Sequence, residues 1–240
     1  MSNVVIVPTY NERENIRPLV EQLLALPIEI QVIVVDDNSP DGTGAIADEL
    51  AASNSHVRVI HRSGKLGLGT AYVAGFKAAL SMGADRILTM DADFSHHPRY
   101  VPDLVDRSRD ADLVIGSRYV RGGGTRYCTL PRKALSWGAN AFVKMVLWLQ
   151  AMDCTAGFRC YRREVLESID LDTIFSNGYS FLIEMLYRVQ RRGWRVAEVP
   201  IIFEDRRLGR TKMSWREAVG LFTTILRLRW RKLRGRIKTR

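Results

Sequence analysis

The chain has 240 residues, 46% of them hydrophobic, a mean hydropathy of −0.11 and a formal net charge of +10. That length allows one large α/β domain or two small ones, and no uninterrupted apolar run approaches the ~18 residues of a membrane-spanning helix. Cys128, Cys154 and Cys160 are an odd set without metal-ligand spacing, which reads as free thiols in a reducing cytosol.

The first expected strand is Val4-Val5-Ile6-Val7, with no signal peptide before it. Proline cannot continue a central strand, so Pro8-Thr9-Tyr10-Asn11-Glu12 is expected as a loop at the sheet's carboxyl edge. Ile16, Leu19, Leu23 and Leu26 recur at helical steps. Gln31 to Val35 forms a second buried strand, closed by the turn-rich Asp36-Asp37-Asn38-Ser39-Pro40-Asp41-Gly42. Asp41 or Thr43 is placed to cap a helix running to about Ala52. The position of Asp37 after this strand offers it to a base or ribose; the alternative is an acid that solvates a turn. His56 to His61 gives a third strand. Gly64 to Thr70 then matches neither the Walker motif nor the dinucleotide fingerprint, and we expect a structural loop.

The fourth strand, Arg86 to Met90, ends in Asp91-Ala92-Asp93. Alternation points the two carboxylates to one side and Ala92 to the other. Two anions that close repel unless a cation lies between them, and Mg2+ or Mn2+ suits carboxylate oxygens. A strand-ending turn with solvated acids is the competing explanation. Asp112 to Gly116 is a fifth strand. This strand–helix rhythm predicts a largely parallel sheet flanked by helices, with right-handed crossovers.

The second half changes character. Arg121-Gly122-Gly123-Gly124-Thr125 is expected to be flexible, as a lid or a connector. Leu135 to Met152 is almost entirely apolar, including Trp137, Phe142, Met145 and Trp148, and we expect it in the core rather than on a membrane surface. A helix from about Tyr179 to Arg192 and a strand from Val196 to Phe203 lead to Arg206-Arg207-Leu208-Gly209-Arg210-Thr211-Lys212, a basic loop suited to phosphate oxygens. Trp215, Val219, Phe222, Leu226, Trp230, Leu233 and Ile237 then mark one apolar helical face. Residues 227–240 hold eight basic groups and no acid, and without them 28 basic groups face 26 acidic ones. The charge is therefore a property of the tail, which points to an anionic membrane surface. No nucleic-acid module accompanies it, and nucleic acid is not expected as a partner.

Six segments now stand in order: Val-Pro-Thr-Tyr-Asn-Glu at 7–12, Val-Asp-Asp-Asn-Ser-Pro-Asp-Gly at 35–42, Asp-Ala-Asp-Phe-Ser-His-His-Pro at 91–98, Gly-Ser-Arg-Tyr at 116–119, Thr-Ala-Gly-Phe-Arg at 155–159 and the 206–212 loop. The set resembles the dolichyl-phosphate (polyprenyl-phosphate) mannose synthases among the inverting family two glycosyltransferases, nearly end to end up to about Ser214. The resemblance implies a GT-A (Rossmann-like) catalytic domain over 1–214, with 215–240 as a basic amphipathic tail. It implies GDP-mannose as donor, a polyprenyl monophosphate as acceptor, and Mg2+ or Mn2+ as cofactor. Pro8, Tyr10, Glu12, Val35 and Asp37 match nucleotide-pocket positions, and Asp91 and Ala92 match further donor contacts. Asp93 matches the metal ligand, with Asp91 beside it. Ser95 stands where some relatives carry glutamine, which puts a direct metal bond from it in doubt. Arg118, Arg206 and Lys212 match phosphate-holding residues, and Arg132 is assigned to the acceptor phosphate. The expected location is the cytoplasmic face of a membrane, with a membrane-anchored protein as the alternative partner of the tail. Glucosyl transfer to the same lipid and a non-catalytic docking protein are the rival functions.

Overall fold

The apolar runs of the first half form the parallel strands that such runs favour when both faces are covered. In the computed structural model, which describes residues 1–204 and 223–230, β1 (Asn3–Thr9), α1 (Arg13–Leu24), β2 (Gln31–Asp36), α2 (Thr43–Ser53), β3 (Val57–His61), α3 (Leu68–Ser81) and β4 (Arg86–Thr89) alternate as predicted. They are followed by α4 (Val101–Arg107), β5 (Leu113–Ser117), β6 (Gly124–Arg126) and α5 (Leu130–Leu147). Then come β7 (Arg159–Arg162), α6 (Arg163–Glu167), α7 (Tyr179–Arg191), β8 (Val196–Pro200) and β9 (Ile202–Glu204). One seven-stranded sheet has the order β3-β2-β1-β4-β7-β5-β8, and β6 pairs with β9. The result is a mixed α/β fold with a mostly parallel sheet. Side chains alternate along β1, so Val5 and Val7 join a core with Leu19, Ala47 and Leu104, whereas Val4 and Ile6 join another with Phe76, Val165 and Ile183.

Four expectations change. Pro8 is not in a loop: it lies in β1, opposite Val35 of β2. Main-chain groups alternate along the strand, and Thr9 turns its carbonyl to Asp37 beyond β2 while Ile6 turns its own to Met90 beyond β4. Pro8 therefore faces the β4 side, where the ladder has already ended at Ile6–Thr89, and its missing N–H breaks no bond. The Thr155–Arg162 segment, read without a strand, contains β7. This strand runs antiparallel between β4 and β5, with Cys160 opposite both Leu88 and Val114. The 121–125 stretch is not simply flexible, because Gly124 N donates to Ile201 O (3.0 Å) and starts β6.

The fourth change concerns the apolar 135–152 stretch, expected in the core. Along α5 only Asn140, Val143 and Leu147 are buried, a single narrow stripe. Trp137 (63%), Met145 (69%) and Trp148 (82%) are exposed. No described helix is long and apolar enough to cross a membrane. Residues 223–230 are helical, with Ile225 and Leu228 buried in the core and Leu226 and Trp230 exposed. Arg206, Lys212, the rest of their loop, the 214/215 boundary and most of the tail lie outside the described residues.

Candidate active site

The sheet order reverses between β1 and β4, and the crevice beyond the carboxyl ends of strands at such a switch point is where open α/β sheets bind ligands. Asp91-Ala92-Asp93 lies there. The strand ends at Thr89, so the pair sits on a turn rather than on a continuing strand, with Phe94 in the left-handed region at φ 58°. Ala92 is nevertheless buried in the core, away from the acids. The Asp93 carboxylate accepts a hydrogen bond from Ser95 N (3.0 Å), which fixes the turn. Asp91 Oδ1 accepts one from Tyr72 Oη (3.2 Å). Tyr72 is fully buried in α3 beside Phe76 and Phe181. Burial, and then Asp91, push its phenol well above the ordinary value, so it remains a donor.

His96 Nδ1 lies 3.7 Å from Asp91 Oδ2. The ring stacks on Phe158 (5.3 Å) and meets the edge of Phe203 (5.4 Å). Burial lowers its pKa, outweighing Asp91 and Asp93, and the imidazole is neutral near pH 7. The 3.7 Å approach is thus a polar contact with a carboxylate and not an ion pair.

The residues that the resemblance assigns to the donor lie at the neighbouring strand ends. Pro8 closes on Val35, whose side chain is fully buried, so Val35 reaches the edge only through its main chain. Tyr10 lies under Lys65 Nζ (4.0 Å). Glu12 N donates to Thr43 Oγ1 (2.9 Å), and Glu12 Oε2 accepts from Asn15 (2.8 Å). Asp37 is buried: it pairs with Arg62 (2.6 Å) and accepts from Leu66 N (3.2 Å) and Gly67 N (3.4 Å). The glycine-containing 64–70 loop is thereby tied to the edge of β2. Asp41 does act at the start of α2, accepting from Thr43 N (3.0 Å) and Oγ1 (2.6 Å).

Across the crevice, Arg118 follows β5 and is held by Asp153 in a bidentate pair, with Nε and Nη2 each 2.7 Å from a carboxylate oxygen. Its Nη2 also donates to Thr155 Oγ1 (2.8 Å). Burial opposes both charges, but each partner outweighs it: Asp153 raises the arginine's pKa and Arg118 lowers the acid's. The pair is therefore charged throughout the neutral range. Arg132 lies in the first turn of α5, one helical turn before Ser136, whose hydroxyl meets Tyr119 Oη at 2.9 Å. This places Arg132 on the side of α5 that faces the Arg118–Tyr119 segment.

Sequence reasoning missed Tyr72, His96 and Asp153 as parts of this arrangement. Tyr72 looked like one more aromatic on an apolar helix, and Asp153 depended on the unrecognised β7. That strand carries the 153–158 loop to the end of β4, where Thr89 Oγ1 donates to Gly157 O (2.6 Å). A side chain at Gly157 would enter van der Waals contact with Asp91, at 3.6 Å from its carboxylate.

The carboxylates of Asp91 and Asp93 suit a hard divalent cation. Among the described residues, no three His, Cys, Asp or Glu side chains close on one point. A cation here would complete its oxygen shell from water and a diphosphate, as Mg2+ and Mn2+ commonly do.

A switch-point crevice with paired carboxylates on one wall and a fixed arginine on the other is the layout of a GT-A glycosyltransferase. The chain belongs to Glycosyl transferase family 2, whose profile matches residues 4–170, and it is a glycosyltransferase. It is 45% identical over 241 residues to the undecaprenyl-phosphate mannosyltransferase of Micrococcus luteus, covering 99% of both chains. It is 49% identical over 213 residues to the polyprenol monophosphomannose synthase of Mycolicibacterium smegmatis, covering 88% of this chain and 80% of that one. The fold is shared with a mannosyltransferase from Pyrobaculum calidifontis solved with GDP-Man and Mn2+ (TM-score 0.63, 17% identity, 94% of this chain and 64% of that one). The family resemblance read from the motifs is thus borne out.

Proposed function

We propose that the enzyme transfers mannose from GDP-mannose to a polyprenyl monophosphate with inversion, giving polyprenyl-phosphate mannose and GDP. The observation that carries this reading is the 45% identity, over 99% of both chains, to an undecaprenyl-phosphate mannosyltransferase. The Pyrobaculum neighbour's GDP-Man and Mn2+ support the donor and a divalent cation by analogy of fold. Pro8, Tyr10, Glu12, Val35, Asp37 and Ala92 line the nucleotide side, and Asp91 and Asp93 hold the cation. When bound, the cation supplies positive charge against the leaving diphosphate.

In this mechanism a phosphate oxygen of the acceptor attacks the anomeric carbon from the face opposite GDP. One C–O bond forms as the bond to the diphosphate breaks. The attacking group is already an anion, so no strong base is needed, and neutral His96 is not asked to act as one. Arg118, Arg132, Arg206 and Lys212 hold phosphate oxygens of donor and acceptor as charge moves between them. Arg118 is preorganised for this by Asp153. The exposed apolar side chains of α5 and the basic tail fit a peripheral seat on the cytoplasmic face of a membrane. The test is transfer from radiolabelled GDP-mannose, GDP-glucose and UDP-glucose to polyprenyl phosphate, with the anomer assigned by NMR. We expect a β-mannosyl phosphate from GDP-mannose alone. Preferred use of a glucose donor, or retention at the anomeric carbon, would overturn the assignment.

A further inference from the structure

A further groove lies between the carboxyl-terminal ends of α5 and α7 and the 223–230 helix. It has a volume of about 220 Å3 and is lined by residues including Leu147, Trp148, Tyr187, Gln190, Arg191 and Arg229, with no acid among the described residues of its wall. The Tyr179 end of α7 lies at the crevice, where a side chain at Gly157 would touch both Asp91 and Leu182, one turn in from Tyr179. Arg191 stands at the opposite end of that helix, roughly 18 Å along its axis at 1.5 Å per residue. The groove is therefore separate from the crevice. It is also smaller than the roughly 300–1,000 Å3 of an ordinary cofactor pocket, and fits a single phosphoryl group better than a sugar nucleotide.

Part of its chemistry is accounted for within the fold. Arg229 Nη1 donates to Val146 O (2.7 Å), satisfying a carbonyl that the end of α5 leaves open. Capping does not account for Tyr187 Oη and Arg191 Nε. Both atoms are buried and have no hydrogen-bond partner among the described residues. Unmet buried polar groups are costly, and both of these can donate. Two donors, one a phenol and the other within the Arg191 guanidinium, with Arg229 in the same wall, call for an anion with several acceptor oxygens.

The rim indicates where that anion comes from. Trp148 ends α5 in the left-handed conformation, at φ 56°. Glycine or asparagine occupies such a position with less strain. Here a tryptophan is held there and projects outward, beside exposed Met145, with exposed Leu226 and Trp230 on the adjoining 223–230 helix. A rigid aromatic with an apolar body and a polar N–H suits a bilayer interface. We propose that this groove binds the phosphate of an anionic phospholipid headgroup while Trp148 enters the interface, so that the carboxyl-terminal ends of α5 and α7 rest on the membrane. The inference rests on the membrane seat proposed above, and it adds the headgroup class and the residues that read it.

The test uses the full chain with vesicles of phosphatidylcholine alone and of phosphatidylcholine mixed with phosphatidylglycerol. Arg191→Gln combined with Tyr187→Phe should weaken binding to the phosphatidylglycerol vesicles about tenfold and binding to phosphatidylcholine vesicles much less, because the choline cation offsets that lipid's phosphate. Trp148→Gly should weaken binding to both, while its thermal midpoint holds or rises because glycine accepts the left-handed backbone. Should the double variant fail to fold, Gln190→Glu places a repelling charge in the same wall and is expected to show the same selective loss. Equal binding of parent and variants to phosphatidylglycerol vesicles would overturn the proposal. So would inorganic phosphate, without vesicles, stabilising the parent but not the double variant at concentrations that abolish vesicle binding, since the ligand would then be a soluble phosphate. Failure of the proposed reaction would appear separately, as no mannosyl transfer by the parent to a short soluble acceptor. These variants should leave that activity intact.

Discussion

The two walls of the crevice hold their charged groups in different ways. On the wall proposed to face the donor, Asp91 and Asp93 stand on a turn, with Asp91 accepting a hydrogen bond from Tyr72 and Asp93 one from Ser95 N. On the facing wall, Arg118 is locked by a buried acid with two short bonds. The first wall keeps carboxylate charge near water, where a cation can exchange. The other wall carries a desolvated ion pair, which gives up freedom and in return fixes a cation's direction. The contrast predicts that substitutions on the first wall separate activity from stability, and that those on the second do not.

The largest effect should come from Asp93→Ala. Losing the proposed cation ligand is expected to lower transfer roughly a thousandfold with little change in urea unfolding, because Asp93 is not buried in the core. Near-normal turnover in metal-containing buffer would break the contrast. Asp153→Asn should lower both properties. Leaving Arg118 without its buried partner is expected to cost about 3 kcal/mol of stability, read by urea unfolding alongside the transfer rate. A loss of rate without loss of stability would make Asp153 a site residue only.

A pH series sharpens the same point. Asp153 has a depressed folded pKa, so its contribution is present above its unfolded value of about 3.9. It is lost as pH falls through the folded value. Asp153→Asn should therefore flatten the acid limb of the stability curve below about pH 4. Asp41 is shifted in the same direction and should preserve part of that slope. The smallest effect belongs to Tyr72→Phe, which removes one hydrogen bond to a charged acceptor. We expect about a tenfold loss in kcat and an unchanged thermal midpoint, and an unchanged kcat would show that Asp91 needs no support from α3.

The same two regions differ in how openly the sequence declares them. β1, β2 and β4 are apolar runs closed by turn residues, so the strands and the position of Asp91 and Asp93 could be read directly. The second half conceals its organisation because its core contains groups that normally mark the surface. Arg159 is fully buried in β7, yet its guanidinium donates to the carbonyls of Ala156 (2.8 Å), Leu182 (2.7 Å) and Cys154 (3.0 Å). A strand spelled Arg-Cys-Tyr-Arg resembles a polar loop until those acceptors are assembled around it. The apolar 135–152 stretch misleads in the opposite direction, since burial was expected and α5 instead displays Trp137 and Met145 to the outside. Asp37 was legible as an acid at the edge of β2, but its partner Arg62 lies beyond the next helix and strand, where periodicity gives no signal.

The placement of β7 also bears on how the chain folds as it is made. The β3-β2-β1-β4 half uses residues up to Thr89 and can pair as soon as they emerge, whereas β5 cannot reach its place until Arg159–Arg162 has been synthesised and slotted beside β4. Until then the outer edge of β4 offers unpaired main-chain groups, the kind of edge that templates strand exchange between chains. That step closes a longer loop than the β1–β2 and β2–β3 pairings, and one comparable with the β1–β4 pairing, so it is slow compared with the first two. Weakening the β4–β7 junction should thus lengthen the life of an aggregation-prone intermediate before it lowers the stability of the finished enzyme.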